Sequence, residues 1–259
     1  MATFLFNEVV FGPVKSRRLG VSLGVNLLPV KEKVCSFNCI YCECGWTFGK
    51  YAEKAKLPLR AEVREKLEET LRKMVSANQL PDVITFAGNG EPTLHPEFAE
   101  IIDDTIEVRN MLAPKTRIAV LSNATMLHKK QVFNALLKVD NNIQKLDSAL
   151  PETIRLINDP NIDFNLQKLV DQLVSFNGKV TIQTIFLRGN FKGQYFDNTT
   201  ETEVSAWLEL LAKIKPSNVM IYTVARDTPL SSLSKVSYSE LKTIAGKVEQ
   251  AGLSIQVSE

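Results

Sequence analysis

The chain has 259 residues, 44% of them hydrophobic and 23% charged, which suits a globular fold with a sizeable core. No run of about 18 apolar residues appears, so the sequence offers no membrane-spanning helix. The net charge of +2 selects no partner by itself, but the first 56 residues carry +4 and the remainder −2.

Met1 to Val10 is apolar, carries Glu8 and has no basic n-region, so it does not read as a signal peptide. The expected location is the reducing cytoplasm. There, clustered cysteines bind metal or do chemistry more often than they form disulfides. Phe4 to Phe11 predicts a short N-terminal lead-in strand, ended by Gly12-Pro13. Val21 to Leu28 predicts the next strand, closed by Pro29. A cysteine-rich loop follows, residues 33–45. Arg60 to Ala77 then has Val63, Leu67, Leu71, Met74 and Val75 at helical spacing.

From there strand and helix alternate. Strands are predicted at Val83–Phe86, Arg117–Leu121, Asn142–Asp147, Val180–Leu187, Val219–Val224 and Leu253–Val257. Helices are predicted at Pro96–Met111, Lys129–Leu137, Phe164–Phe176, Thr202–Ile214 and Ser237–Ala251. That makes six strand–helix units with no linker, an α/β chain read as one domain over 1–259. Such units give a parallel sheet covered by helices, either an open doubly wound sheet or a partial barrel. Ligands bind at the C-terminal ends of such strands. Gly90-Glu91, Ser122-Asn123, Asp147, Arg188 and Arg226 all fall there. Each alone is also ordinary turn, cap or ion-pair chemistry.

All four cysteines lie within ten residues: Cys35, Cys39, Cys42 and Cys44. The first three have the spacing C-x₃-C-x₂-C. Thiolates are the soft ligands that hold iron–sulfur clusters. Three of them leave one position of a four-iron cluster open, and an open position implies chemistry. Cys44 is the competing fourth ligand, and a zinc site is the alternative metal reading. His95 reads as turn and helix-start chemistry, with catalysis as the alternative. Lys50 reads as a solvated charge.

Cys35-x₃-Cys39-x-Tyr41-Cys42 resembles the signature of radical S-adenosylmethionine (SAM) enzymes. The resemblance implies a partial (β/α)6 barrel of radical SAM type. It also implies a [4Fe-4S] cluster on Cys35, Cys39 and Cys42, whose open iron chelates SAM. Reductive cleavage then gives methionine and a 5′-deoxyadenosyl radical that abstracts hydrogen from a substrate. Gly88-Asn-Gly-Glu-Pro-Thr-Leu-His-Pro96 is similar to the family's Gly-Gly-Glu motif, which implies that Gly90 and Glu91 meet the SAM amino group. Ser122-Asn123 is similar to the ribose-contacting pair, and Tyr41 takes the place of an aromatic near the adenine. Asp147 and Arg188 are implied as contacts to the ribose or carboxylate.

Within that family, Gly12-Pro-Val-Lys-Ser-Arg-Arg-Leu-Gly20 and Tyr41-Cys-Glu-Cys-Gly45 resemble a group of small proteins related to the tRNA wyosine-base synthases. Those enzymes carry three further cysteines ahead of the loop, whereas here no cysteine precedes Cys35. The resemblance therefore supports the reaction class and not that substrate. Three readings stay open: an enzyme acting on RNA or another anionic substrate, an activase that places a radical on a partner protein, and a non-enzymatic iron–sulfur or zinc module. Either enzyme needs an electron donor of flavodoxin or ferredoxin type.

Overall fold

The structure, a computed structural model, describes residues 4–47, 56–226 and 228–259. Lys50 and Asp227 lie outside the described residues.

The chain begins with a hairpin, β1 (Val10–Ser16) and β2 (Gly20–Val25), and then alternates: α1 (Arg60–Ser76), β3 (Val83–Phe86), α2 (Phe98–Leu112), β4 (Arg117–Ser122), α3 (Lys130–Leu136) and β5 (Asn141–Lys145). Two short helices follow, α4 (Pro151–Asn158) and α5 (Leu166–Val174), before β6 (Thr181–Ile185). A second hairpin, β7 (Leu187–Phe191) and β8 (Gln194–Asp197), leads into α6 (Glu201–Ile214) and β9 (Asn218–Tyr222). The chain closes with β10 (Ser234–Lys235), α7 (Tyr238–Gln250) and β11 (Ile255–Ser258).

Eight strands form the main sheet in the order β1-β2-β3-β4-β5-β6-β9-β11. β1 is antiparallel to β2, and every later pair is parallel. This curled half-barrel is the expected α/β architecture with its N-terminal strand. Strand periodicity of two sorts its faces. Leu23, Ile84, Phe86, Ile118, Val120, Ile182, Val219 and Ile221 face the helices in one large core. The inner face carries Ser22, Gly24, Thr85, Leu121, Ile143, Gln183 and Met220, and these border a cavity instead. Gly24 is needed there, because a Cβ would fall 2.1 Å from the Phe11 ring.

Each helix buries a stripe. In α1 it is Val63, Leu67, Leu71 and Met74, spaced three and four apart. Burying each is worth about 1.5–3 kcal/mol relative to exposure. Asn165, Thr200 and Ser237 cap α5, α6 and α7 by accepting backbone N–H bonds.

The expected elements need four corrections. The lead-in strand does not end at Gly12-Pro13. It begins at Val10 and runs through them, with a register shift between Phe11 and Val14. Pro13 brings no N–H, but β1 is an edge strand bulged at that point, so none is required. The predicted strand Val180–Leu187 is divided: β6 stays in the main sheet, while Leu187 opens β7, which joins β8 and β10 in a small antiparallel sheet. Pro96 precedes α2, and a short 3-10 turn at Pro92–Leu94 comes before it. Helix α4, starting at Pro151, lies between the strand and helix predicted at Asn142–Asp147 and Phe164–Phe176, where no element is predicted.

Candidate functional site

The cysteine loop crosses the C-terminal mouth of the half-barrel, held on both sides by backbone. Val34 N donates to Asn89 O at 2.9 Å, and Glu91 N donates to Val34 O at 3.0 Å. On the other side, Asn38 N and Ile40 N both donate at 3.0 Å, to Asn158 O and Ile157 O at the end of α4. Val34, Phe37 and Ile40 are buried anchors three residues apart. Phe37 meets Phe164 edge-on at 5.5 Å between centroids. With these side chains fixed inward, the cysteines between them have little freedom.

Cys35, Cys39 and Cys42 line one pocket of about 210 Å³, together with Tyr41, Gly88, Gly90, Glu91, Ser122, Asn123 and Lys145. Cys44 is not part of that lining. Its thiol donates to Gly88 O at 3.4 Å. Among the described residues, no group of three His, Cys, Asp or Glu is placed to hold a single metal ion. The three thiols ring a space instead, as ligands to separate irons of one cluster do.

The thiols differ in their surroundings. Burial pushes Cys35 up to about 12, against the pull of Lys33. Burial also raises Cys39, which Lys145 and Lys33 oppose. Cys42 is lowered by the adjacent Cys44 thiol and the Lys33 ammonium, and Cys44 is raised in turn by its nearness to Cys42. Lys33 is buried and donates from Nζ to Gly45 O at 2.8 Å. Burial disfavours its charge, but the three pocket cysteines outweigh burial and its pKa is raised. Asn123 Nδ2 and Asn158 Nδ2 each donate to a sulfur at 3.5 Å, to Cys35 and Cys39 respectively. Soft donors, a nearby cation and N–H···S bonds are the surroundings that an anionic iron–sulfur cluster requires.

Glu91 ties two loops together. Oε1 accepts from Thr93 N at 3.0 Å, and Oε2 from Asn123 N at 2.6 Å. The side chain is buried, and burial raises its pKa against the hydrogen bonds from Thr93 and Asn123. Gly90 brings its backbone against the cysteine loop at φ +137, where an added Cβ would lie 1.8 Å from Val34 O.

Asp147 is a hub, not a free pocket wall. Its Oδ2 accepts from Tyr41 Oη, from Asn158 Nδ2 at 2.7 Å and from Lys145 Nζ at 3.3 Å. Oδ1 accepts from Ile185 N at 3.1 Å. Lys145 also donates to Tyr41 Oη and has its pKa raised, because Asp147 and neighbouring groups outweigh burial.

Arg188 is not brought to the pocket. It lies on β7, with Nε 2.9 Å from Asp197 and Nη2 2.7 Å from Glu240. The expectation placed it at the end of a main-sheet strand, but that strand has already ended at Ile185. Arg226 pairs with Glu43 at 2.8 Å. His95 accepts from Glu97 N at Nδ1, which leaves Nε2–H to donate to Pro58 O at 2.9 Å, so it fastens a turn. Lys33 and Lys145 are pocket residues that motif reading passes over. The signal for Lys145 was its place two residues after inward-facing Ile143.

A family model described as the Radical SAM superfamily matches residues 33–202. A UPF0026 protein of Synechocystis sp. is 32% identical over 225 residues, covering 85% of this chain and 77% of that protein. A Brachyspira hyodysenteriae protein described as GTPase Obg is 31% identical over 256 residues, covering 96% of this chain. The chain spans only 34% of that protein. The GTPase description is that protein's own. Among solved structures, a radical SAM methyltransferase from Sphaerobacter thermophilus superposes with a TM-score of 0.68 at 14% identity, covering 92% of this chain and 65% of that one. The structure of TYW1 with a lysine–pyruvate adduct bound gives a TM-score of 0.65 at 16% identity, covering 88% and 73%. At these identities the two structures show a shared fold. No described helix is long and apolar enough to cross a membrane.

Proposed function

The chain belongs to the radical SAM superfamily, whose enzymes use a [4Fe-4S] cluster and SAM, and from that premise we propose that Cys35, Cys39 and Cys42 hold the cluster of a radical SAM enzyme. The carrying observation is that these three thiols ring one pocket at the barrel mouth while Cys44 stays outside its lining. When bound, the cluster and SAM supply reductive cleavage of the sulfonium to methionine and a 5′-deoxyadenosyl radical, which takes hydrogen from a substrate.

The protein's own groups bind and orient. The backbone at Gly90 and Glu91 offers polar contacts to the amino-acid end of SAM. Ser122 and Asn123 offer theirs to the ribose. Tyr41 gives the adenine an aromatic wall, and Asp147 holds the Tyr41 hydroxyl in place. Lys33 and Lys145 set positive charge beside the thiolates. An electron donor of flavodoxin or ferredoxin type supplies the reducing equivalent.

The test is anaerobic reconstitution with iron and sulfide, then dithionite and SAM. Release of 5′-deoxyadenosine supports the reading. Zinc uptake without SAM cleavage overturns it.

A further inference from the structure

A second cavity of about 360 Å³ fills the lumen of the half-barrel and shares Ala87, Leu121 and Gln183 with the thiol pocket as a common wall. That volume suits a small molecule or a single protruding group. Its charge is one-sided. Lys15, Arg17, Arg18 and Arg226 line it, against one carboxylate, Glu43, which already pairs with Arg226. Arg17 is engaged with the main-chain oxygen of Glu259.

Among the described residues Lys15 and Arg18 have no carboxylate partner, and of the two Arg18 is the one partly buried. Its guanidinium lies 4.4 Å from the centroid of Tyr222, an inward-facing residue at the end of β9. Its Nη1 is buried with no hydrogen-bond partner among the described residues. An unmatched buried donor on a charged group costs about 1–3 kcal/mol or more, so its placement needs a reason.

The backbone beneath Arg18 is fixed. Ser16 Oγ accepts from Arg18 N and Leu19 N at 3.3 and 3.2 Å. Gln256 Nε2 donates to Arg18 O at 3.2 Å, and Leu19 plugs the barrel floor against Val83, Ala119, Ile143 and Met220. A planar cation in a cavity with an apolar wall of Leu121, Ile143 and Met220 matches an anionic head on an apolar body.

We propose that this lumenal cavity binds the enzyme's substrate through an anionic oxygen group, a carboxylate or a phosphate, anchored by Arg18, with the substrate body along Leu121, Ile143 and Met220. Calling the ligand a substrate rests on the radical SAM reading of the adjoining pocket. The anion site itself stands on Arg18.

The experiment is calorimetric titration of the reconstituted full chain with inorganic phosphate and, separately, with malonate, at low ionic strength and without SAM. One of the two anions binds saturably to the wild type, and which one identifies the head group. Binding weakens at least tenfold in Arg18→Gln and several-fold in Arg18→Lys, which keeps the charge but loses the fork. Melting curves are recorded for both, and if Arg18→Gln does not fold, Arg18→Lys decides. Saturable binding by neither anion, or equal binding by wild type and the folded variants, overturns the proposal. SAM cleavage by the wild type is scored separately. Cleavage with Arg18-independent anion binding overturns this inference alone. Arg18-dependent binding without cleavage overturns the functional reading alone.

Discussion

Oε2 of Glu91 accepts a hydrogen bond from the backbone amide of Asn123 across 2.6 Å, joining the loop after β3 to the loop after β4. Asn123 in turn donates to Ser36 Oγ at 2.8 Å and to Cys35 Sγ at 3.5 Å. One buried carboxylate thus sets where two strand ends and the cysteine loop stand relative to each other. Glu91→Gln keeps the shape but turns an amide N–H₂ toward either Thr93 N–H or Asn123 N–H. A stability loss of about 1–3 kcal/mol is expected from the mismatched donors. SAM binding, followed by equilibrium dialysis on the reconstituted protein, weakens several-fold. Unchanged melting and unchanged SAM affinity would contradict this role.

Gly90→Ala tests the close approach of the two loops. A side chain at φ +137 is strained wherever it stands, and here it also meets Val34 O at 1.8 Å. The backbone conformation alone costs about 1–3 kcal/mol, and the clash forces the Val34–Gly90 bridge apart. The variant melts lower and retains less iron after reconstitution. Wild-type melting would show that the loops are not seated against each other.

Asp147→Asn removes the carboxylate opposite Lys145 and Tyr41. The Lys145 ammonium is then left buried without its counter-charge, and breaking such a pair costs about 3–5 kcal/mol. Urea denaturation reads this as a lower midpoint at unchanged slope. Arg188→Gln is the contrast. Its partners lie in the small sheet and at the start of α7, so it leaves SAM affinity unchanged.

The cysteine spacing and the Gly90-Glu91 and Ser122-Asn123 pairs were readable because they are local motifs at ends of parallel strands, and parallel topology puts those ends on one edge. Sequence alone places Arg188 at a main-sheet strand end because Val180–Leu187 has one continuous strand pattern. β6 is buried throughout and β7 opens on the buried Leu187, the last residue of that stretch, so composition does not show where the chain changes sheets. Lys145 looks like a solvated charge until its inward face and its Asp147 partner are known. Arg18 stands 204 residues from Tyr222, and only the β1–β2 turn folding under the lumen brings them together.

Acid stability has a local prediction. Glu240 is lowered to about 2, first by Ser237 in the α7 capping box and then by Arg188. A lowered carboxylate stabilises the fold above its unfolded pKa of about 4.3, and this stabilisation is lost as pH falls toward 2. Glu240 is partly exposed, so the effect is a capping-sized one of about 0.5–1 kcal/mol. Wild type therefore melts above Glu240→Gln at pH 7, and the gap closes between about pH 4.3 and 2. A gap that stays constant with pH would contradict the ionised cap.

The most direct measurement compares iron content and 5′-deoxyadenosine release for reconstituted wild type, Cys39→Ala and Cys44→Ala. Wild type is expected to hold about four irons and four sulfides and to cleave SAM under dithionite. Cys44→Ala holds and cleaves nearly as well, whereas Cys39→Ala loses cleavage. Loss of the cluster in Cys44→Ala, or a wild type that takes up zinc and leaves SAM intact, would contradict the three-thiol site.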